Sequence, residues 1–132
     1  METVRSFFKK DRFASLANIE LLTVSPGCAR SKMVVQPHHL NANNTVQGGA
    51  IFTLADYTFA AASNSHGTVA VGINVSISYV KAATGGTLWA EAKELSRNHK
   101  LGVYTVEVKD DAGDLVAVFQ GMAYRKKDPI TP

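Results

Sequence analysis

The chain has 132 residues, with 45% hydrophobic and 19% charged residues and a formal net charge of +3. That length supports one domain with one core and excludes two ordinary domains. The mild excess of base suits a small anionic ligand but is too weak to argue for nucleic acid, and the single cysteine, Cys28, excludes an internal disulfide and fits an intracellular, cytoplasmic chain.

In chain order, Val4, Phe7, Phe8 and Asp11 recur every three or four residues, which predicts a short amphipathic helix over residues 2–13 within an N-terminal segment 1–15. Charges at Lys9, Lys10, Asp11 and Arg12 break any secretory-leader pattern there. Two strands are expected next, Ile19–Ser25 and Arg30–Val35, around the turn Ser25-Pro26-Gly27. The polar stretch QPHHLNANNTVQ, with Pro37 and three asparagines, predicts loop over residues 36–46.

The segment GGAIFTLADYTFAAA, Gly48 to Ala62, is apolar nearly all round and reads as a helix that Ser63-Asn64-Ser65-His66-Gly67 ends. It falls short of the roughly 20 apolar residues of a bilayer span, so no membrane partner is expected. The period then becomes two: Val69, Val71, Ile73, Val75, Ile77 and Tyr79 alternate with smaller or polar residues. Three further strands, Thr87–Leu95, Leu101–Lys109 and Asp114–Arg125, are separated by turn residues at the spacing of an antiparallel meander. Residues 126–132, KKDPITP, read as a loose tail.

A helix apolar on most faces must be covered on most sides. The order of elements therefore predicts an α+β fold in which a curved antiparallel sheet wraps one long helix. Apolar helix surface and edge strand left over would favour pairing of two copies.

Asp56 is the conspicuous exception inside the apolar helix. It shares a face with Phe52, Thr53, Phe59 and Ala60. Either it reaches solvent or a structural hydrogen bond, or it is a general base or nucleophile whose pKa is raised by dry surroundings. Gln47-Gly48-Gly49 opens the same helix. Two glycines there serve a tight turn, or they let a ligand carbonyl or anion approach the outward-pointing N–H groups. Gly48 and Asp56 lie roughly 12 Å apart along one helix at 1.5 Å per residue. Attack on a bound carbonyl needs both groups within about 3 Å of the reacting atoms. If both act, two antiparallel copies must supply one each.

The stretch HLNANNTVQGGAIFTLADYTFAAASNSHG, His39 to Gly67, resembles the motif of hot-dog-fold acyl-CoA thioesterases, in the phenylacetate-degradation branch akin to the 4-hydroxybenzoyl-CoA thioesterases. The similarity extends over about Leu16 to Tyr124, including GVYTVEV and LVAVFQGMAYR. It implies a hot-dog fold, a homodimer or dimer of dimers, and hydrolysis of an acyl-CoA, aryl-acetyl or medium-chain, without metal or other cofactor. It implies Asp56 as catalytic carboxylate, the Gly48 N–H as the group that polarises the carbonyl, and Asn41 as an aid in positioning carbonyl or water. Asn41 and Gly48 would come from one subunit and Asp56 from the other.

Gln47 stands where the family usually has His; it can donate a hydrogen bond but cannot titrate near neutrality. Some relatives place Ser or Thr on the following strand to hold water. Gly72 falls near that position, with Asn74 the closest polar alternative. Gly49 and His39 are expected beside the substrate, His39 ordering the loop that carries Asn41. Tyr57 would line an acyl pocket, with Phe52 and Phe59 as further choices. Arg97 and Lys100 in the turn Arg97-Asn98-His99-Lys100 would receive the coenzyme A phosphates. His38, His39, His66 and His99 lack metal-ligand spacing. Two alternatives stay open: a non-catalytic acyl-CoA-binding or regulatory protein, and a hydratase or dehydratase, which the missing His at position 47 disfavours.

Overall fold

A computed structural model describes residues 1–132. The elements are α1 (Glu2–Phe8), α2 (Arg12–Leu16), β1 (Ile19–Ser25), β2 (Cys28–Val34), a 3-10 turn at Pro37–His39, α3 (Gly48–Ser63), β3 (Thr68–Tyr79), β4 (Thr87–Arg97), β5 (Leu101–Lys109) and β6 (Leu115–Pro129). The six strands form one antiparallel sheet in the order β1-β2-β4-β5-β6-β3, curled round α3. This is the α+β architecture the sequence predicts. No helix is long and apolar enough to cross a membrane.

Burial of α3 drives the fold. Ile51, Leu54, Ala55, Phe59, Ala61 and Ala62 are buried against Met33, Leu88, Ala90, Val106 and Phe119 of the sheet, each large side chain contributing about 1.5–3 kcal/mol. Phe59 packs on Tyr104 and Phe119 with ring centroids 5.7 and 5.5 Å away. Gly121 makes room for it: a Cβ there would lie 2.8 Å from the Phe59 ring. Asn64 ends the helix and starts β3 in one move. Its Nδ2 donates to the Ala60 and Ala70 carbonyls at 2.8 and 3.1 Å, and its Oδ1 accepts from the Ala70 N–H at 2.9 Å.

Three local expectations change. The N-terminal helix is two helices, because Asp11 leaves the helical backbone and caps α2, its carboxylate accepting from Ala14 N–H at 3.0 Å. Residues 126–129 are strand rather than loose tail: Thr68 pairs with Pro129, Ile130 N–H donates to the Gly67 carbonyl at 3.0 Å, and Ile130 is buried. The even alternation from Val69 to Tyr79 does not define one face. A bulge at Ile73 shifts the phase, so Gly72 faces Ala123 while Val75, Ile77 and Tyr79 face Gly121, Phe119 and Ala117 on the helix side.

β3 is an edge strand of 12 residues, paired only with β6. Val71, Ile73, Val75 and Tyr79 are exposed along it, an open apolar margin that proteins ordinarily cover.

Candidate active site

From Ile51 to Ser63 every residue of α3 is buried except Phe52, Thr53, Asp56 and Ala60. These four form one stripe, since positions three and four apart share a helix face. The sheet covers the other sides, and Asp56 sits in the middle of what remains. Its carboxylate has no hydrogen bond or ion pair within the protomer. Burial raises its pKa above the ordinary value near 3.8, and the negative charge of Asp11 acts in the same direction.

The start of α3 is built by the loop before it. Gln47 N–H donates to the His39 carbonyl at 2.8 Å, and the Gln47 side-chain oxygen turns back to accept the Gly49 N–H, capping the helix. The Gly48 N–H has no acceptor within the protomer, as the first turn of a helix leaves such donors free. Tyr79 Oη donates to the Gly48 carbonyl at 2.9 Å.

The sequence-predicted residues separate into those gathered here and those held elsewhere. Gln47, Gly48, Gly49 and His39 meet at the helix start. His39 acts as a brace: its Nδ1 accepts from Gln36 N–H at 2.9 Å, and its Nε2 donates to the Ala17 carbonyl at 2.6 Å. Neither ring nitrogen is left for substrate. Asn41 lies in the adjoining loop and folds it, its Oδ1 accepting from the Asn43 and Thr45 N–H groups and its Nδ2 donating to Thr45 Oγ1. One Nδ2 proton remains for a ligand.

Tyr57 does not face the Asp56 stripe. It packs edge-on against Phe8, ring centroids 5.8 Å apart, in a cavity of about 340 Å³ with Arg5 and Asp11. Burial, then the Asp11 charge, push its pKa to about 12. Asn74 is also misplaced for a water ligand: it pairs with Met122, between Gly121 and Ala123, so it projects from the sheet face opposite the helix. Gly72 holds the inward position, against Phe59.

Arg97 and Lys100 lie one helix length from Gly48, beside the C-terminal end of α3. Arg97 Nε is 3.6 Å from Glu94, which accepts from His66 just past the helix. Lys100 borders a basic depression of about 500 Å³ with Arg125, Lys126 and Lys127.

Sequence reasoning missed Tyr79 and Asp11 as neighbours of the site. Tyr79 reads as the last residue of an alternating strand and Asp11 as part of a helix; only the fold brings them to α3.

Residues 43–117 match the thioesterase superfamily. The chain belongs to that superfamily.

It is a thioester hydrolase by class, as the motif implies. A provisionally named esterase of Archaeoglobus fulgidus is 44% identical over 100% of this chain and 87% of its own. Acyl-coenzyme A thioesterase PaaI of Escherichia coli is 30% identical over 98% of this chain and 94% of its own. The structure of that E. coli protein, from the phenylacetic acid degradation operon, superimposes with a TM-score of 0.94 over 98% of this chain and 95% of its own, bearing out both the hot-dog fold and the branch. A Streptococcus mutans structure bound to acetyl CoA gives 0.81 at 26% identity, over 85% of this chain and 91% of its own.

Proposed function

We propose that this thioesterase hydrolyses an acyl-CoA, with an aryl-acetyl or medium-chain acyl group, to the free acid and coenzyme A, at a site shared between two copies of the chain. The observation that carries the reading is the unpartnered Asp56 carboxylate on the one open stripe of α3, roughly 12 Å from the free Gly48 N–H of its own helix. That separation is too long for one substrate carbonyl, and an antiparallel second copy of α3 removes it. Pairing of two β3 edges would set the helices side by side, cover the open stripe and bring Gly48 of one copy to Asp56 of the other. The activity of the E. coli relative and the acetyl CoA bound to the S. mutans neighbour support the substrate class.

In this arrangement the thioester carbonyl accepts a hydrogen bond from Gly48 N–H, the developing oxyanion more strongly than the ground state. Asp56, ionised, takes a proton from water as its oxygen attacks the carbonyl carbon; collapse breaks the carbon–sulfur bond and releases the thiolate, which gains a proton. Alternatively Asp56 attacks first, and water then hydrolyses the acyl-aspartate anhydride. Antiparallel pairing also carries the Arg97–Lys100 turn of one copy toward the end where the other's helix begins, within reach of the coenzyme A phosphates.

The test is free-thiol release from a panel of acyl-CoAs by wild type, Asp56→Ala, Gly48→Val and an equal mixture of the two variants refolded together. A shared site predicts inactive single variants and partial recovery on mixing, because a mixed dimer holds one intact site. Binding of acyl-CoA without thiol release by wild type would instead support the non-catalytic alternative.

A further inference from the structure

A carbonyl held at the Gly48 N–H needs somewhere to put its acyl substituent. A cavity of about 520 Å³ lies beside the start of α3, with Phe13 and Leu16 of α2 on one side and Gly49, Ala50 and Thr53 of α3 on the other. That volume is within the range of small-ligand pockets. We propose that Phe13 and Leu16 are the wall of the acyl pocket and determine which acyl groups the enzyme accepts, an inference that rests on the acyl-CoA reading above.

Three of the four polar side chains around the cavity already hold partners, while the exposed His38 ring and the Gln47 Nε2 amide make no hydrogen bond. His39 uses both ring nitrogens on backbone partners, Gln47 Oε1 accepts from Gly49 N–H, and Thr53 Oγ1 donates to the Gly49 carbonyl at 2.7 Å. An apolar occupant therefore leaves none of the engaged groups newly unpaired, whereas a polar one loses water without gaining them as partners. The occupant this chemistry fits is the hydrocarbon part of an acyl group.

Phe13 and Leu16 are 69% and 76% exposed, the two most exposed large apolar side chains of the protein. Scattered exposed apolar residues need no explanation, but these two converge on one cavity and sit on a helix fixed at both ends. Asp11 caps its start, and His39 Nε2 donates to the Ala17 carbonyl at its end. The same His39 holds Gln47 through its carbonyl. One residue thus sets the distance between the proposed acyl wall and the helix start. A second cavity, of about 390 Å³ with Gly48, Tyr79 and Val80, flanks the helix start on its other side. It opens at the β3 edge, which a paired copy would cover, so the α2 side is the one left for the acyl group.

The test is kcat/KM for acetyl-, hexanoyl- and phenylacetyl-CoA with wild type, Phe13→Ala and Leu16→Ala, alongside thermal melting and sedimentation. The wall predicts a loss of about tenfold or more on hexanoyl and phenylacetyl substrates, mostly in KM, with acetyl-CoA within about twofold of wild type. If the alanine variants melt early, Phe13→Leu and Leu16→Met repeat the comparison, and a changed ratio between acyl groups is again the expected result. Equal effects on all three substrates, or none, with wild type active, overturn the wall and leave the thioesterase reading intact. Equal losses accompanied by a smaller sedimenting species show that Phe13 and Leu16 pack against another copy, which also overturns it. No thiol release by wild type from any of the three overturns this proposal together with the acyl-CoA reading.

Discussion

Tyr79 and Gly48 are joined by a hydrogen bond of 2.9 Å, from the phenol to the glycine carbonyl, so the last residue of β3 holds the first residue of α3. The same ring occupies the space above Gly48: a Cβ on Gly48 would meet Tyr79 Cζ at 3.3 Å. The tie orients the peptide next to the one that carries the free Gly48 N–H. Tyr79→Phe keeps the ring and removes the tie. Because the bond is exposed, the stability loss is expected at or below about 1 kcal/mol. Steady-state kinetics are expected to show a lower kcat with little change in KM, since a misaimed N–H weakens the transition state more than the bound substrate.

Asp56 pays for its position in stability. Its folded pKa is raised, first by burial and then by Asp11, so the folded chain binds this proton more tightly than the unfolded chain does. Folding stability from this group is then greatest when it is protonated and falls as pH rises from the ordinary value near 3.8 through the folded pKa. Asp56→Asn is expected to melt above wild type at pH 7, with the difference vanishing below the ordinary carboxylate range, while thiol release falls by about 10²–10⁴-fold. The acid limb of the wild-type kcat/KM profile should have its half-point above that of an ordinary aspartate, because only ionised Asp56 accepts the proton or attacks.

Glu94 works in the opposite sense. Burial by itself pushes its carboxyl up. Hydrogen bonds from Tyr104 Oη at 2.7 Å and His66 Nε2 at 2.8 Å, with the charges of His66 and Arg97, outweigh that and hold the pKa below its ordinary value near 4.5. A depressed carboxylate stabilises the fold above its unfolded pKa, and that stability is lost as pH falls through the folded pKa. Glu94→Ala orphans the buried Tyr104 hydroxyl and is expected to cost about 1–3 kcal/mol in chemical denaturation at pH 7. Adding Tyr104→Phe should recover part of the loss.

Lys100, Lys126 and Lys127 carry no ion pair and border one basic depression with Arg125. Neutralising Lys100 and Lys126 together is expected to raise KM for an acyl-CoA by roughly tenfold at low salt, less at high salt. The matching thioester of N-acetylcysteamine has no phosphates and should show no change. Equal effects on both substrates would remove this patch from coenzyme A recognition.

Ser31 Oγ is fully buried on β2 with no hydrogen-bond partner. Its removal should therefore not carry the usual penalty of deleting a buried polar contact. Ser31→Ala is expected to leave stability unchanged or raise it by up to about 1 kcal/mol, read from the denaturation midpoint.

Much of this molecule follows from residue order alone. The long apolar run of α3, its glycine start and its stop at Ser63-Asn64 are local signals, and so are the period-two strands with turns between them. A helix apolar on nearly every face has one economical partner, a sheet curved round it, so the fold was legible too. Asp56 and Gly48 stood out because a carboxylate in an apolar helix and paired glycines at its start are locally costly, and their 12 Å separation follows from helix rise alone.

Other features waited for the tertiary structure because no local rule encodes them. Whether Tyr57 or Phe52 faces the open stripe depends on where α1 packs. Asn74 lost its inward direction to a bulge at Ile73 that leaves the alternation of residue types intact while shifting the pairing by one. Residues 126–129 became strand because Thr68 and its neighbours, some sixty positions earlier, offered them a partner. Asp11 came within electrostatic reach of Asp56, and Phe13 and Leu16 reached the start of α3, because residues 1–17 pack on distant parts of the chain, with Phe8 against Tyr57 and His39 bracing Ala17. A side chain's type and its spacing along an element are set locally, but what it faces is set by contacts between residues far apart in the chain.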